Sequence, residues 1–322
     1  MNIPRPRHPR PSTAATQLIA LIVAGVLLAF GLGLFGRHFW VLDLFAHFRV
    51  QYTVVLVVCG LGLFMLRHLR SAAFVLAAAA AMAISILGYT GWPSQEAQAA
   101  TGGFRFVTFN RYFHNDDFAS AGQWLQKASA DVIAFQEIDS PQDVQQLAAV
   151  LPQYPHVYAD LNAESDVAIF SRWPIRSSER IELVPQGAQV AKTVIDWNGQ
   201  PITLIGAHLH WPMGARNTRL RNAELRELIT LARATEGPLL IGGDFNITPW
   251  SPVFREAMAG SGLTDCARGH GFVPSWPSWF APAGIRIDHC LASDHWRVLD
   301  LSAGPSLGSD HLAMINDLEL KR

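Results

Sequence analysis

Polar side chains that can bind metal ions or move protons stand where short apolar runs of the sequence stop. Six such runs, far apart in the chain, each end in a carboxylate, an amide or an imidazole. The residues are Asn110, Gln136-Glu137, His208, Asp244-Phe245-Asn246, Asp288-His289 and Asp310-His311. Loops at strand ends are where a rigid sheet presents catalytic groups, and the two-residue spacing of Asp244 and Asn246 directs both side chains to one side of an extended chain. The pattern indicates one site assembled from several strands.

The residue types in this set favour a hard divalent cation. Glu137 and Asp310 offer oxygen ligands, with Asn110 or Asp244 as further candidates, and the three scattered cysteines contain no CxxC pair. Oxygen donors without thiolates or clustered histidines favour Mg²⁺ or Mn²⁺ over zinc. Such a cation neutralises charge on a phosphoryl group while a carboxylate orients or deprotonates water. The set therefore predicts metal-assisted attack of water on a phosphate.

Short strand-like runs alternate with helical patterns from Phe104 onward. Strands are predicted at 104–109, 132–135, 167–170, 190–196, 202–207, 239–242, 285–291 and 312–318, and helices at 118–128, 144–151 and 216–233. The dipeptide Asn198-Gly199 is typical of a hairpin turn. Many strands with interspersed helices predict a two-sheet α/β sandwich.

The N-terminal third has the composition of a membrane region. Hydrophobic residues make up 50% of the whole chain and charged residues only 16%, and three charge-free apolar runs lie at 18–36, 50–66 and 71–91. A bilayer core needs about 20 helical residues, so the second run is a little short and its flanking arginines would snorkel. We predict an N-terminal region 1–91 with three transmembrane helices, a linker at 92–103, and a domain at 104–322.

Charge gives an orientation and excludes some function classes. The net charge of −1 excludes a strongly basic nucleic-acid protein and a highly charged disordered chain. Five arginines flank one side of the predicted spans (Arg5, Arg7, Arg10, Arg67 and Arg70), and two flank the other. The positive-inside rule then predicts a multi-pass protein of the cell (inner) membrane with an extracytoplasmic C-terminal domain. The aromatic-rich stretch 37–45 is expected at the membrane interface, and a Cys266–Cys290 disulfide stays an open alternative.

Seven short motifs, in this order, resemble those of the endonuclease/exonuclease/phosphatase (DNase I-like) superfamily. They are Thr108-Phe109-Asn110, Phe135-Gln136-Glu137-Ile138, Ala168-Ile169-Phe170-Ser171-Arg172, Ala207-His208-Leu209, Gly242-Gly243-Asp244-Phe245-Asn246, Arg286-Ile287-Asp288-His289 and Ser309-Asp310-His311. The resemblance spans about residues 104–318. It implies an α/β fold, a four-layer αββα sandwich, preceded in this chain by three transmembrane helices.

The resemblance also implies a metal site. Glu137 would be the principal ligand, with Asn110 and Asp310 close to the ion. The cation would be Mg²⁺, with Mn²⁺ as the alternative.

The same resemblance implies the roles of five catalytic residues. Asp244 would orient or activate the water, and Asn246 would hold a phosphate oxygen. His311, oriented by Asp288, would contact the scissile phosphate, and His208 would be the general acid. A carboxylate beside a histidine fixes its tautomer and raises its basicity.

The expected function is therefore a membrane-anchored, Mg²⁺-dependent phosphoesterase. An extracytoplasmic DNase-like endonuclease and a catalytically idle membrane-tethered binding module are the alternatives. The expected partners are the bilayer and a phosphoester substrate, which is a lipid head group, a small phosphodiester or a nucleic acid; no obligate protein partner is evident.

Several other polar residues are expected to have no catalytic role. We expect Asp166 to be solvated or to support the site from behind. Four arginines of the longest helix are expected on its solvated surface: Arg216, Arg219, Arg221 and Arg226. His210, His289, His295 and His114 are expected to be bystanders, and Trp276 and Trp279 either wall the site or pack.

Overall fold

The protein is described here from a computed structural model, which covers residues 13–91, 103–162 and 165–321. The predicted linker at 92–103 lies outside these residues except for Gly103, and so do Arg5, Arg7 and Arg10. The linker and the arginine-based orientation therefore stay predictions.

The described part of the N-terminal region, residues 13–91, contains four helices. They are α1 (Thr13–Gly33), α2 (Trp40–Ala46), α3 (Arg49–Met65) and α4 (Leu69–Thr90). Among the described residues, α1 and α4 are each long and apolar enough to cross a membrane. Helices α2 and α3 meet at an angle of 58° and pass the same test only when they are taken together as one bent pair. The second predicted span is thus the 17-residue helix α3, too short alone, preceded by a short helix that turns away from it.

These helices pack into a small bundle with apolar outer faces. Leu56 of α3 and Val75 of α4 are buried between the helices. At Gly60 a Cβ atom would lie 2.6 Å from the Leu76 side chain, so the absence of a side chain lets α3 and α4 approach closely. Large apolar side chains such as Leu21 and Phe74 are exposed on the outside, as expected of a surface that faces lipid.

The C-terminal domain contains two six-stranded sheets within the described residues. Its strands are β1 (Phe104–Asn110), β2 (Val132–Gln136), β3 (His156–Ala159), β4 (Ala168–Ser171), β5 (Ile175–Glu182), β6 (Gln189–Trp197), β7 (Gln200–His208), β8 (Leu239–Asp244), β9 (Leu263–Asp265), β10 (Asp288–Ser293), β11 (Trp296–Ala303) and β12 (Met314–Leu320). The first sheet has the order β11-β12-β1-β2-β4-β3, and the second has the order β5-β6-β7-β8-β10-β9. The predicted hairpin joins β6 to β7, with Asn198 and Gly199 at positive φ.

Helices cover the outer face of each sheet. They are α5 (Phe118–Ala128), α6 (Pro141–Val150), α7 (Ala215–Arg233) and α8 (Pro252–Met258). One apolar core fills the space between the sheets and includes Phe106 and Leu204. A second core joins the first sheet to α5 and α6, and a third joins the second sheet to α7 and α8. The four-layer αββα sandwich predicted from the sequence is confirmed.

The positions of two polar segments relative to their strands differ from the sequence prediction. Asp288 was expected to end a strand, but it begins β10, and Asp310-His311 precede β12 instead of ending a strand. Both strands run antiparallel to their neighbours, since β10 pairs with β8 and β12 pairs with β1 in that sense. Their first residues therefore lie at the same edge of the sandwich as the last residues of β8 and β1. The polar residues therefore lie at the starts of these two strands instead of at their ends, and they still meet the other site residues.

The short helix α2 packs against the C-terminal domain, which corrects two expectations. Asp43 of α2 forms a 2.6 Å ion pair with Arg221 of α7, and both side chains are fully buried. The stretch around Asp43 is therefore part of an internal contact instead of a simple interfacial segment. Arg221 was expected on the solvated surface of its helix; that expectation is wrong, because its guanidinium group has a buried counter-ion.

Candidate active site

Both sheets bring polar residues to one edge of the sandwich. In the first sheet Asn110 pairs with Gln136 in the parallel register of β1 and β2, and Glu137 follows directly. In the second sheet His208 pairs with Asp244 in the parallel register of β7 and β8, and Asp244 pairs with Asp288 at the start of β10. Strand register alone thus gathers these side chains.

Asn110 hydrogen-bonds to both Glu137, the predicted metal ligand, and Asp244, the predicted water-activating residue. Its side-chain nitrogen donates to Glu137 Oε1 at 2.8 Å and to Asp244 Oδ2 at 3.2 Å. Its side-chain oxygen accepts from the Tyr112 backbone N–H at 3.0 Å, which fixes the amide orientation. The second oxygen of Glu137 accepts from the Phe113 backbone N–H at 2.9 Å. Asn110 therefore acts as a donor that holds two carboxylates beside one another.

Asp310 lies on the rim of the same group and has a free oxygen. Its Oδ2 atom accepts from Trp276 Nε1 at 3.1 Å. Its Oδ1 atom is buried and has no hydrogen-bond partner among the described residues. Trp276 thus contacts a site residue and walls the site, one of the two alternatives that the sequence left open.

His311 is held by a carboxylate, as the sequence predicted. Its Nδ1 atom lies 2.8 Å from Asp288 Oδ2, and its Nε2 atom lies 3.7 Å from Asp244 Oδ2. Ser275 Oγ accepts from the Asp288 backbone N–H at 3.1 Å. Burial lowers the pKa of His311, but the neighbouring carboxylates, Asp288 first, outweigh it and raise the pKa to about 9. Burial raises the pKa of Asp288, and the pairing with His311 outweighs it and holds the pKa below its ordinary value.

His208 has a carboxylate partner of its own. Its Nδ1 atom lies 2.7 Å from Asp166 Oδ2, and its Nε2 atom lies 3.8 Å from Asp244 Oδ2. Burial lowers the pKa of His208, and Asp166, Asp244 and Glu137 together raise it to about 10. Asp166 was expected to be solvated or supporting, and it is the supporting partner. The site therefore contains two histidine–carboxylate pairs on opposite sides of Asp244.

Asp244 lies at the centre of the group. Its Oδ1 atom accepts from the Asn246 backbone N–H at 2.8 Å, while Oδ2 faces the two histidines. Burial and the charge of Asp288 raise the pKa of Asp244 to about 6. Gly243 precedes it at φ 150°, where a Cβ atom would lie 1.8 Å from the carbonyl oxygen of Ala207. Only glycine fits there, because β7 and β8 lie so close at this point.

Asn246 is fixed from two sides. It adopts a left-handed backbone conformation with φ 51°, and its side-chain nitrogen donates to the Leu209 carbonyl oxygen at 2.9 Å. Its own carbonyl oxygen accepts from Arg221 Nη1 at 2.6 Å. The predicted phosphate contact of Asn246 would therefore come from a residue whose backbone is tied to α7.

Sequence reasoning missed a third histidine–carboxylate pair beside the site. His210 Nδ1 lies 2.6 Å from Glu224 Oε1, and Glu224 is fully buried on α7. Glu224 Oε1 also accepts from the Ala188 backbone N–H at 2.7 Å. The signal was present, since Glu224 lies three residues after Arg221 and one before Leu225 on the buried face of α7. His289 was expected to be a bystander, and it is buried away from the cleft: it stacks on Phe245 and Phe254, and its Nε2 atom lies 2.7 Å from the Ile247 carbonyl oxygen.

A large cleft opens over these groups. Its volume is about 1240 Å³, and its floor includes Glu137, Asp244 and His311. The walls include apolar residues from both parts of the chain. A cleft of this size with a few convergent polar groups is typical of a substrate site.

A model of the endonuclease/exonuclease/phosphatase family matches residues 107–311, which include every predicted site residue. The chain belongs to this family. Members of the endonuclease/exonuclease/phosphatase family are metal-dependent hydrolases of phosphoester bonds, and the chain is an enzyme of this class. The N-terminal helices lie outside the matched residues. Comparison with curated proteins found no match.

Solved structures of the family share the fold of the chain. An endonuclease/exonuclease/phosphatase from Bacteroides vulgatus has a TM-score of 0.56 at 17% identity, covering 68% of this chain and 99% of that one. A family protein from Beutenbergia cavernae has a TM-score of 0.55 at 21% identity, with coverage of 68% and 72%. Sphingomyelinase C from Streptomyces griseocarneus has a TM-score of 0.51 at 15% identity, with coverage of 67% and 99%. At these identities the likeness shows the fold alone.

The residues present fit the divalent cation that the endonuclease/exonuclease/phosphatase family uses. Glu137 and Asp310 are carboxylates that line the cleft, and one buried oxygen of Asp310 lacks a partner within the described part of the chain. Asp244, Asp288 and His311 also have atoms within 4.8 Å of one another. In each group one carboxylate has one bonded oxygen, Asp310 to Trp276 and Asp288 to His311, and one buried oxygen without a partner among the described residues. We favour Glu137 and Asp310 for the cation because both donors are carboxylate oxygens, whereas the other group includes an imidazole. Oxygen donors of this kind suit a hard cation.

Proposed function

We propose that the protein is a membrane-anchored, Mg²⁺-dependent phosphoesterase that hydrolyses a phosphodiester or phosphomonoester. The observation that carries this proposal is the meeting of two histidine–carboxylate pairs and two further carboxylates around Asp244 in one open cleft. A purely structural cluster is typically closed and fully paired, whereas this one faces a cleft, and Asp310 Oδ1 has no hydrogen-bond partner among the residues that the structure describes.

Glu137 and Asp310 would hold the cation, with Asn110 close by. When bound, Mg²⁺ supplies positive charge that neutralises the phosphoryl oxygens. In the structure the nitrogen of Asn110 faces the carboxylates. We therefore assign Asn110 the task of holding Glu137 and Asp244 in place beside the ion.

Asp244 and His311 would act on the water and the phosphate. The Oδ2 atom of Asp244 is buried and faces both histidines, so it is placed to orient a water molecule and accept its proton. His311, fixed by Asp288, presents Nε2 toward the same point and would donate to a phosphate oxygen. Asn246 would hold another phosphate oxygen through its side chain.

His208 would protonate the leaving group. Its Nδ1 atom is bonded to Asp166, which leaves Nε2 directed into the cleft near Asp244. Asp166 accepts the proton on Nδ1 and stabilises the positively charged imidazolium, and in that form Nε2 carries the proton that can pass to the leaving group. The two histidines would thus serve the two sides of the phosphate.

The N-terminal helices would anchor the enzyme in the cell membrane. We propose residues 1–91 as the membrane region, 92–103 as the linker and 104–322 as the catalytic domain, with that domain outside the cytoplasm. The apolar length of α1 and α4 supports anchoring, and the distribution of arginines supports the orientation.

The test uses the full-length protein in detergent with bis(p-nitrophenyl) phosphate and Mg²⁺. Hydrolysis should depend on Mg²⁺ and stop in EDTA. Glu137→Gln should reduce kcat/KM by more than the roughly 10–100-fold that loss of a group supporting a metal ligand costs. The matched control is Glu236→Gln, because Glu236 is an exposed glutamate after α7.

The outcomes separate the proposal from a non-catalytic role. Loss of activity in Glu137→Gln with an unchanged control would support it. Full activity of Glu137→Gln, or full activity in EDTA, would refute the assigned metal site. A folded protein that hydrolyses no phosphoester would favour the idle binding module.

A further inference from the structure

One wall of the catalytic cleft comes from the N-terminal region. Leu44, His47 and Phe48 line the cleft together with Glu137 and Asp244. Leu44 belongs to α2, and His47 and Phe48 follow that helix directly before α3 begins. These residues lie outside the part of the chain that the family model matches. The cleft is therefore a composite of the membrane region and the catalytic domain.

This wall is fixed to the domain by buried polar contacts. Beside the Asp43–Arg221 ion pair, Ser251 Oγ donates to Asp43 Oδ1 at 2.5 Å. His47 Nδ1 lies 2.9 Å from Thr248 Oγ1, and both side chains are buried. Burial of such groups is favourable only when their hydrogen bonds are made. Leu44 and Phe48 are thus held at the cleft by the residues on either side of them.

Large apolar side chains face the cleft from the domain as well. Trp211 is 60% exposed and Met213 is 54% exposed, both in the loop between β7 and α7, and Phe48 is 41% exposed on the N-terminal side. Exposed apolar groups gathered at one opening mark a binding surface. A small, water-soluble phosphoester would leave these side chains in water.

The helix ends place this opening next to the apolar bundle. Arg49, the first residue of α3, follows Phe48, and Thr90 at the end of α4 accepts through its carbonyl oxygen from the Gly271 backbone N–H at 2.7 Å. The start of α3 and the end of α4 therefore both meet the catalytic domain. If the bundle spans a bilayer, the domain lies at the level of the lipid phosphates.

We propose that the cleft binds a lipid phosphoester, with its phosphate at Asp244 and His311 and its adjacent hydrocarbon segment between Phe48 and Leu44 on one side and Trp211 and Met213 on the other. This inference rests on the proposed function and names its substrate class. In the reaction the oxygen of water bonds to phosphorus and one P–O ester bond breaks. One proton of the water passes to the leaving alcohol oxygen, and the other is released from the phosphate product.

The experiment compares two chromogenic esters that differ only in the alkyl chain. Full-length protein in detergent is assayed with methyl p-nitrophenyl phosphate and with hexadecyl p-nitrophenyl phosphate. The long-chain ester should have a kcat/KM at least about tenfold higher, a ratio that burial of only two methylene groups would supply.

Variants of the wall separate binding in the cleft from simple partition into detergent. Phe48→Ala and Trp211→Ala should each lower the ratio of long-chain to methyl-ester kcat/KM by about threefold or more, since each removes an aromatic surface that the chain contacts. The matched control is Phe74→Ala, an exposed phenylalanine on the outer face of α4. It should leave the ratio unchanged.

Each outcome decides the question. A lower ratio in the wall variants alone supports the inference. Equal kcat/KM for the two esters, a ratio unaffected by the wall variants, or faster cleavage of plasmid DNA than of the hexadecyl ester overturns it and leaves the phosphoesterase standing. Hydrolysis of neither ester by folded protein removes the proposed function and the inference with it.

Discussion

The buried ion pair between Asp43 and Arg221 gives the sharpest prediction for stability. The two side chains are fully buried, the nitrogen–oxygen distance is 2.6 Å, and a second guanidinium nitrogen holds the carbonyl oxygen of Asn246. Asp43→Ala would leave the guanidinium group buried without a counter-ion. Breaking a buried pair in this way costs about 3–5 kcal/mol, which corresponds to a fall in Tm on the order of 10 °C. The fall in Tm is measured by thermal unfolding in detergent, monitored by tryptophan fluorescence.

A second variant and a control make this prediction refutable. The double variant Asp43→Leu with Arg221→Met replaces both charges by apolar groups. Its loss in free energy of unfolding should be much smaller than the sum of the losses of the two single variants, because no unpaired charge is left buried. Arg219→Met, an exposed arginine of the same helix, should change the free energy of unfolding by no more than about 0.5 kcal/mol. The reasoning fails if Asp43→Ala costs less than about 1 kcal/mol or if the two single losses simply add.

Two further variants test the electrostatics of the domain, each against Asp294→Asn, an exposed aspartate. Asp166→Asn removes the partner of His208 and should lower kcat by about 10–100-fold for a phosphodiester whose leaving group is an alcohol, because an alkoxide needs a proton to depart. The loss should be smaller for bis(p-nitrophenyl) phosphate, whose p-nitrophenolate departs without one. An unchanged kcat for the alkyl ester would contradict the assignment of His208 as the acid. Asp265 pairs with Arg286 at 2.6 Å, and although burial alone would raise its pKa, this pairing holds the pKa below its ordinary value. The ion pair of Asp265 therefore stabilises the fold fully above about pH 4, and this stabilisation is lost as the pH falls below that. The difference in Tm between wild type and Asp265→Asn should shrink from about pH 5 to about pH 2. A constant difference would contradict the lowered pKa of Asp265.

The composition of the strands was sufficient to predict where the polar groups would gather. Runs such as 132–135 and 239–242 are apolar throughout, so their ends are clear in the sequence. The direction of each strand relative to its neighbours could not be predicted, because the composition of an apolar run does not distinguish parallel from antiparallel pairing. The start of β10 at Asp288 therefore emerged only from its register with β8.

The contacts that join the two parts of the chain were beyond sequence reasoning for a different reason. Asp43 and Arg221 are 178 residues apart, and each looks like a solvated charge by itself. The helical spacing did indicate that Arg221 and Glu224 are buried, since both lie on the same face of α7 as Leu225 and Leu228. A charge on an apolar face predicts a buried partner, but it does not say which residue that partner is.

The contacts along the top of the helical bundle have a practical consequence for anyone who wants a water-soluble fragment for crystallisation. Tyr89 Oη donates to Asp265 Oδ2 at 2.6 Å, and Gln51 Nε2 donates to the Ala283 and Gly284 carbonyl oxygens at 2.9 and 2.7 Å. Truncation before residue 103 would uncover each of these acceptors and one side of the cleft. Such a fragment would tend to aggregate through its newly bared surface, so purification should keep the helices and supply detergent or a lipid nanodisc.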